Sequence, residues 1–103
     1  MDLAEVQTMQ AEHDAHYWEV DQTNFAKIRH ITLHIGKLIG KLANYVEPGE
    51  HGKELPTEQI QNEVIPDLMV YAAQLANIFD LRLEDQYRAR LASKKQRLSR
   101  KSL

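Results

Sequence analysis

The sequence lacks cysteine, long apolar runs and any glycine-rich phosphate loop. None of its 103 residues is cysteine, which excludes disulfides, thiolate metal sites and cysteine nucleophiles and favours a reducing compartment. No apolar run approaches the ~20 residues that a membrane-spanning helix requires. The first ten residues, MDLAEVQTMQ, do not resemble a secretory signal. We therefore expect a cytoplasmic protein that does not enter a membrane.

What the chain does contain is typical of one soluble helical domain. Hydrophobic residues make up 43% and charged residues 27% of the sequence, and a chain of this length supports one hydrophobic core. No segment alternates apolar and polar residues as a strand would, so the sequence predicts an all-α fold of four helices. We expect one domain over residues 1–98 and a short basic tail over residues 99–103.

Charge is divided unevenly along the chain. Residues 82–103 carry eight basic and two acidic side chains, whereas residues 1–81 carry five basic and thirteen acidic ones. The basic end, which includes the segment 94-KKQRLSRK-101, either binds phosphate or nucleic acid or lies on the acidic body of another subunit. We expect nucleic-acid binding to be weak, because the body is acidic and no second basic patch supports it.

The apolar spacing predicts where the helices lie. The first should run from about Asp2 to His16, and segment 17–24 should be a loop with Thr23 or Asn24 capping the second helix. That helix should run from Phe25 to Glu47 and end at Pro48 and Gly49. A third should follow Thr57, with a kink or bulge at Pro66, and a turn over residues 79–82 should lead into the fourth.

The third helix is apolar around almost its whole circumference between Ile60 and Phe79. A helix of this kind must be covered on nearly every side, and one small bundle cannot do so. We therefore predict a homo-oligomer, either a dimer or a dimer of dimers. Gly36 and Gly40 on the second helix predict a close helix–helix contact, because two helical glycines each cost ~1 kcal/mol relative to alanine.

The segment 67-DLMVYAAQLANIFDLRLEDQYRARL-91 resembles the MazG-like nucleoside triphosphate pyrophosphohydrolases. The likeness lies in Asp67 opening an apolar helix, in Leu75-Ala76-Asn77 before a turn, and in Leu83-Glu84 starting the next helix. It implies a four-helix MazG-like bundle that assembles as a dimer or a dimer of dimers. It also implies a magnesium site made of carboxylates on two facing helices.

The sequence departs from this family at the carboxylates themselves. His34, Ile35 and Lys37 occupy three positions where the family has glutamate, and Val64 stands where it has a fourth. We expect Lys37 to form a salt bridge with Asp67 that replaces the metal ion, because an unpaired buried charge is costly. If a metal site survives, the resemblance implies that Glu63, Asp67 and His34 form it and carry catalysis.

Three further residues match positions of the family that contact nucleotide or phosphate: Asn77, Arg90 and Arg97. Their other interpretation is structural, with Asn77 satisfying a turn and the arginines exposed to water. His30 and His34, four residues apart on one helix, either bind a transition metal or border the core.

Two functions follow from these observations. The first is a MazG-like interaction, regulatory or nucleotide-binding protein that has lost most or all pyrophosphohydrolase activity and needs no cofactor. The alternative is a magnesium-dependent enzyme that cleaves a nucleoside triphosphate to the monophosphate and pyrophosphate.

Overall fold

The computed structural model describes residues 1–18 and 22–102, with side chains described up to residue 100. Within these ranges the chain is helical and has no strand: α1 spans Leu3–Tyr17, α2 Asn24–Glu50, a π-helical segment Ile60–Val64, α3 Ile65–Ile78 and α4 Leu83–Ser102. The all-α prediction is confirmed. Residues 19–21 of the predicted loop, and Leu103 of the predicted tail, lie outside the described residues.

The contacts group the chain into two units. The first contains Met1–His16 and Ala73–Leu103, and the second contains Tyr17–Ala72. In the first unit, Ala73, Gln74 and Ala76 of α3 are buried. In the second, α2 packs against the π-helical segment, and the buried side chains are Ile31, Leu38 and Val64. The expectation of one domain over residues 1–98 stays a prediction.

The N-terminus of α2 is set by Thr23. Thr23 is extended, with φ −69° and ψ 158°, and its hydroxyl accepts a hydrogen bond from the Ala26 backbone amide at 3.1 Å. This bond satisfies one of the amides that a helix start leaves without a partner. Of the two predicted caps, the structure therefore uses Thr23, and Asn24 is the first residue of the helix.

The predicted C-terminus of α2 at Glu47 is wrong, since the helix continues through Pro48 and Gly49 to Glu50. Gly52 ends it instead: its φ of 79° lies in the left-handed region. The amides of Gly52 and Lys53 donate to the carbonyls of Gly49 and Pro48 at 3.1 Å, which is the Schellman arrangement at a helix end.

A π-helical turn lies directly before Pro66. The Ile65 amide donates to the Ile60 carbonyl five residues back. Pro66 has no amide hydrogen to donate, and its ring would collide with the carbonyl four residues earlier in a regular α-helix. The wider turn accommodates this proline, as the sequence predicted, and α3 then continues without interruption to Ile78.

The connection between α3 and α4 spans residues 79–82, as predicted, and contains the one described non-glycine residue with positive φ. Asp80 has φ 55°, and the Leu81 amide donates to the Ala76 carbonyl at 2.9 Å. The left-handed region costs an L-residue ~1–2 kcal/mol, although aspartate tolerates it better than most.

We expect Asp80→Gly to raise the free energy of unfolding by ~0.5–1 kcal/mol, because glycine adopts positive φ without a steric cost. Asp80→Val should lower it by ~1–2 kcal/mol. Asp85→Gly is the matched control, since Asp85 is exposed within the first turn of α4, where glycine should cost ~1 kcal/mol. Urea unfolding of the three variants measures these changes. Equal losses for both glycine variants would show that Asp80 is not left-handed.

Candidate functional site

In the second unit, two of the predicted site residues, Glu63 and His34, have different neighbours. Lys41 Nζ lies 3.4 Å from Glu63 Oε1. The group around His34, which we call the histidine cluster, contains His30, His34 and Tyr71. Its ring centroids are 4.3 Å apart for His30 and His34, and 5.9 Å apart for His34 and Tyr71.

The lysine that forms an ion pair is Lys41, and the predicted Lys37–Asp67 salt bridge is not among the ion pairs of the described residues. The reason is the direction of the side chain. Successive helical residues are rotated by ~100°, so Lys37 points well away from its buried neighbour Leu38. Lys41, three residues after Leu38, stays closer to the buried face. Lys37 is exposed, and the metal-replacing role of its ammonium stays a prediction.

The Lys41–Glu63 pair is only partly shielded from water. The Lys41 side chain is 28% exposed and the Glu63 side chain 49% exposed. Ion pairs at such positions contribute ~0–1 kcal/mol to stability. The pair nevertheless changes what Glu63 can do, because a metal ion would have to compete with an ammonium for this carboxylate.

Asp67 acts on the histidine cluster through its charge. Burial lowers the pKa of His34, the positive charges of His30 and Lys37 lower it further, and the Asp67 carboxylate opposes them. Burial also raises the pKa of Tyr71, and the Asp67 charge adds to that change. Glu63, Asp67 and His34 do not converge: the described residues contain no group of three histidine, aspartate or glutamate side chains placed to hold a metal ion.

Asn77 is held by Gln7 of α1 in the first unit. Gln7 Nε2 donates to Asn77 Oδ1 at 3.1 Å and to the Leu81 carbonyl at 2.8 Å, and Asn77 Nδ2 donates to the Gln7 carbonyl at 3.0 Å. Gln7 Oε1 accepts from the Leu83 amide at 2.8 Å, at the start of α4. We call these four residues the Gln7 cluster. This geometry agrees with the structural interpretation of Asn77, because both the oxygen and the nitrogen of its side-chain amide are hydrogen-bonded to Gln7.

Arg90 and Arg97 are seven residues apart on α4 and therefore share one face of the helix. Both are exposed. The structure thus presents two exposed arginines on one helix face, whereas the third predicted phosphate-binding residue, Asn77, has its amide occupied by Gln7.

A second polar contact joins α1 to α3. Gln74 is buried, and its Nε2 donates to Asp14 Oδ1 at 3.0 Å, while Gln10 Nε2 donates to the same oxygen at 3.0 Å. Gln7, Gln10 and Asp14 are spaced by three and four residues, which places them on one face of α1. Met9 and His13 lie off this face, since Met9 is 56% exposed and His13 is exposed.

The sequence interpretation missed Gln7, Gln10, Asp14 and Lys41 as contact residues. One signal for the first three is their spacing, because polar residues at core-facing intervals on a helix must find polar partners. No comparable signal separates Lys41 from Lys37, since both are lysines on the same helix.

Gly36 and Gly40 make no close contact within the chain. A Cβ atom built at either position would have no heavy atom within 4 Å. The predicted helix crossing at these glycines is therefore not formed by the described residues of a single chain.

No protein-family model, curated protein or solved structure matches this sequence. The likeness to the MazG-like family stays a prediction from the residues quoted above. Within the described residues, no single helix is long and apolar enough to cross a membrane. The segments Ile60–Ile78 and Leu83–Arg100 reach the required length and composition only when taken together, and a bend separates them.

We expect Gln7→Leu to lower the free energy of unfolding by ~1–3 kcal/mol, because it leaves Asn77 Oδ1, the Leu81 carbonyl and the Leu83 amide without their partner. Gln61→Leu is the control: among the described residues its side chain bonds to exposed Thr57 alone, and its loss should stay within ~0.5 kcal/mol. Urea unfolding measures both. A loss as small for Gln7→Leu as for the control would contradict the structural role of the Gln7 cluster.

We expect His34 to make stability fall as the pH is lowered. Its pKa in the folded state is lower than the unfolded value of 6.5, so the unfolded chain takes up the proton first. The His34 contribution is complete above pH 6.5 and is lost as the pH falls below that value towards the folded pKa.

Urea unfolding at about pH 7.5 and about pH 5.5, on either side of the ordinary histidine pKa, measures this effect. His34→Gln should lose less stability than the parent across this interval. His51→Gln, which changes an exposed histidine after α2, should follow the parent. If His34→Gln also follows the parent, the pKa of His34 is not lowered by folding.

Proposed function

We propose that this protein is a self-associating helical interaction protein without nucleotide hydrolase activity. The observation that carries the proposal is the exposure of large apolar side chains on α2 and α3. Among the described residues, only Ile31 and Val64 are large side chains with less than 2% exposure. Apolar surface is stabilising only where it is removed from water, so these two helices need a further surface to cover them.

The uncovered side chains lie on both helices of the second unit. On α3, Ile65 is 59%, Leu68 48% and Met69 43% exposed. On α2, Leu33 and Ile39 are each 63% and Val46 51% exposed. Ile65, Leu68 and Met69 are three and four residues apart and share one side of α3, and exposed apolar patches mark interaction sites on soluble proteins. A second copy of the chain carries the same apolar faces and is therefore a suitable partner.

The contacts of the candidate catalytic residues support the non-catalytic part of the proposal. Glu63 is paired with Lys41, and the amide of Asn77 is held by Gln7. His34 stands on α2 where the resemblance would require glutamate. Magnesium prefers a shell of oxygen ligands, which a histidine and a lysine-paired glutamate supply poorly.

The exposed α4 gives the proposed protein a second kind of surface. Residues 85–100 of this helix are exposed, and most of its charged side chains after Asp85 are basic. Arg90 and Arg97 on one face suit an anionic group on a partner or a nucleotide, because guanidinium groups bind carboxylate and phosphate in a bidentate manner. Such binding would need no metal ion.

Self-association is tested by multi-angle light scattering of the purified chain at micromolar concentration. We expect a mass of at least twice 11.9 kDa. Ile39→Asp should lower that mass, because it puts a carboxylate on the exposed apolar face of α2. Ala92→Asp is the control at an exposed position of α4 and should leave the mass unchanged. A folded monomer of the parent chain would contradict the proposal.

The absence of hydrolysis is tested separately by measuring pyrophosphate release from nucleoside and deoxynucleoside triphosphates with magnesium or manganese. We expect no release above the protein-free rate. Turnover near ~1 s⁻¹, within the ordinary range of enzymes, that disappears in Asp67→Ala would establish the enzymatic alternative instead.

A further inference from the structure

Six exposed residues of α2 form one line along the helix, which we call the α2 seam. Successive members are four, three, four, three and four residues apart, so they remain on the same side of the helix. All six are exposed to solvent: Arg29, Leu33, Gly36, Gly40, Ala43 and Glu47.

The order of these spacings is the same from either end of the seam. Its midpoint lies at the level of residue 38. If two copies of α2 run antiparallel about a two-fold axis at this level, Gly36 lies opposite the partner subunit's Gly40, and Leu33 lies opposite the partner subunit's Ala43. Arg29 then lies opposite the partner subunit's Glu47 at each end. A two-fold interface requires such self-complementarity.

Charge favours this orientation over the parallel one. Neither Arg29 nor Glu47 is in an ion pair with a described residue of its own chain. In an antiparallel pair each arginine meets a glutamate at both ends of the seam. In a parallel pair, arginine would meet arginine and glutamate would meet glutamate, and such juxtaposition of like charges disfavours association.

Size complementarity agrees with the charge. Gly36 and Gly40 have open space where a side chain would stand, and small residues allow two helices to approach to the lower end of the usual ~8–10 Å interaxial distance. The large Leu33 meets the small Ala43. Ile39 and Val46, which are 63% and 51% exposed, lie on one flank of the seam, where the two-fold axis brings Ile39 beside its own copy.

We infer that the α2 seam is the interface through which two copies of this chain pair in antiparallel orientation. The inference rests on the proposed self-association and gives it a partner surface, a symmetry and a register. Gly36 and Gly40 are thereby explained, since they permit the close approach of a second α2 rather than a contact within one chain.

Cysteine cross-linking tests both the register and the orientation, because the natural chain has no cysteine. Gly36→Cys and Gly40→Cys are prepared as separate proteins, then mixed and oxidised. A disulfide requires Cα atoms ~4.4–6.8 Å apart, which the antiparallel register provides only between position 36 of one chain and position 40 of the other. We expect the mixture to form disulfide-linked dimers at least about fivefold faster than either variant alone.

Gly49→Cys mixed with Gly40→Cys is the matched control, because Gly49 is equally open but lies off the α2 seam. This mixture should cross-link no faster than the single variants. Cross-linking of Gly36→Cys alone at the rate of its mixture with Gly40→Cys would overturn the antiparallel orientation. If the parent chain is dimeric by light scattering but the mixture of Gly36→Cys and Gly40→Cys gives no mixed disulfide, the α2 seam is not the interface. The proposed function would then be unaffected. A monomeric parent would overturn both.

Exchanging the charges of Arg29 and Glu47 tests the same interface independently of the cross-linking. Arg29→Glu alone places like charges at both ends of the seam and should raise the dimer dissociation constant roughly tenfold. Arg29→Glu combined with Glu47→Arg restores opposite charges and should return it to within about threefold of the parent. If the double variant dissociates as readily as the single one, the two residues do not face each other.

Discussion

The constraint on which the structure depends is that the apolar residues of α2 and α3 outnumber the buried positions that one chain provides. In the second unit, the buried apolar side chains are Ile31, Leu38 and Val64. The same two helices also carry leucine, isoleucine, methionine and valine side chains that are about half exposed or more. Apolar burial contributes ~25 cal/mol per Å², so covering these faces would be strongly stabilising. Self-association is a direct way for such a chain to gain that stability.

The polar side chains, in contrast, are arranged for holding elements together. Gln7 uses both ends of its amide to bind the end of α3 and the start of α4, and Asp14 accepts hydrogen bonds from α1 and α3 together. Lys41 and Glu63 connect α2 to the π-helical segment. Two residues of the candidate site, Asn77 and Glu63, take part in these contacts.

The parts of the fold that could be predicted from the sequence are those set by local chemistry. Thr23 caps α2 because its hydroxyl reaches the Ala26 amide, and Pro66 is accompanied by a widened turn because it has no amide hydrogen. The end of α2 was misplaced because the helix continues through Pro48 and Gly49 to Glu50, although proline has no amide hydrogen to donate. The left-handed residue that decides the end is Gly52.

The candidate site was harder to predict because it depends on which faces of two helices meet. Lys37 and Lys41 are four residues apart, which rotates one from the other by only ~40°, yet Lys37 is exposed and Lys41 lies beside Glu63. The π-helical turn also adds a residue to the register of the opposite helix. The spacing of apolar residues in the sequence does not determine such rotations and register shifts. Gln7 was missed for a related reason: its partners are about seventy residues away in the chain, and only the packing of α1 against the turn after α3 brings them together.

The most direct test of the central claim is the dependence of the urea unfolding midpoint on protein concentration. When folding is coupled to assembly of identical chains, mass action stabilises the folded state as the concentration rises. We predict that a hundredfold increase in concentration raises the midpoint, with coincident loss of helical signal and of the oligomer. A midpoint that is independent of concentration over that range, measured on a chain that remains folded and monomeric, would contradict the account.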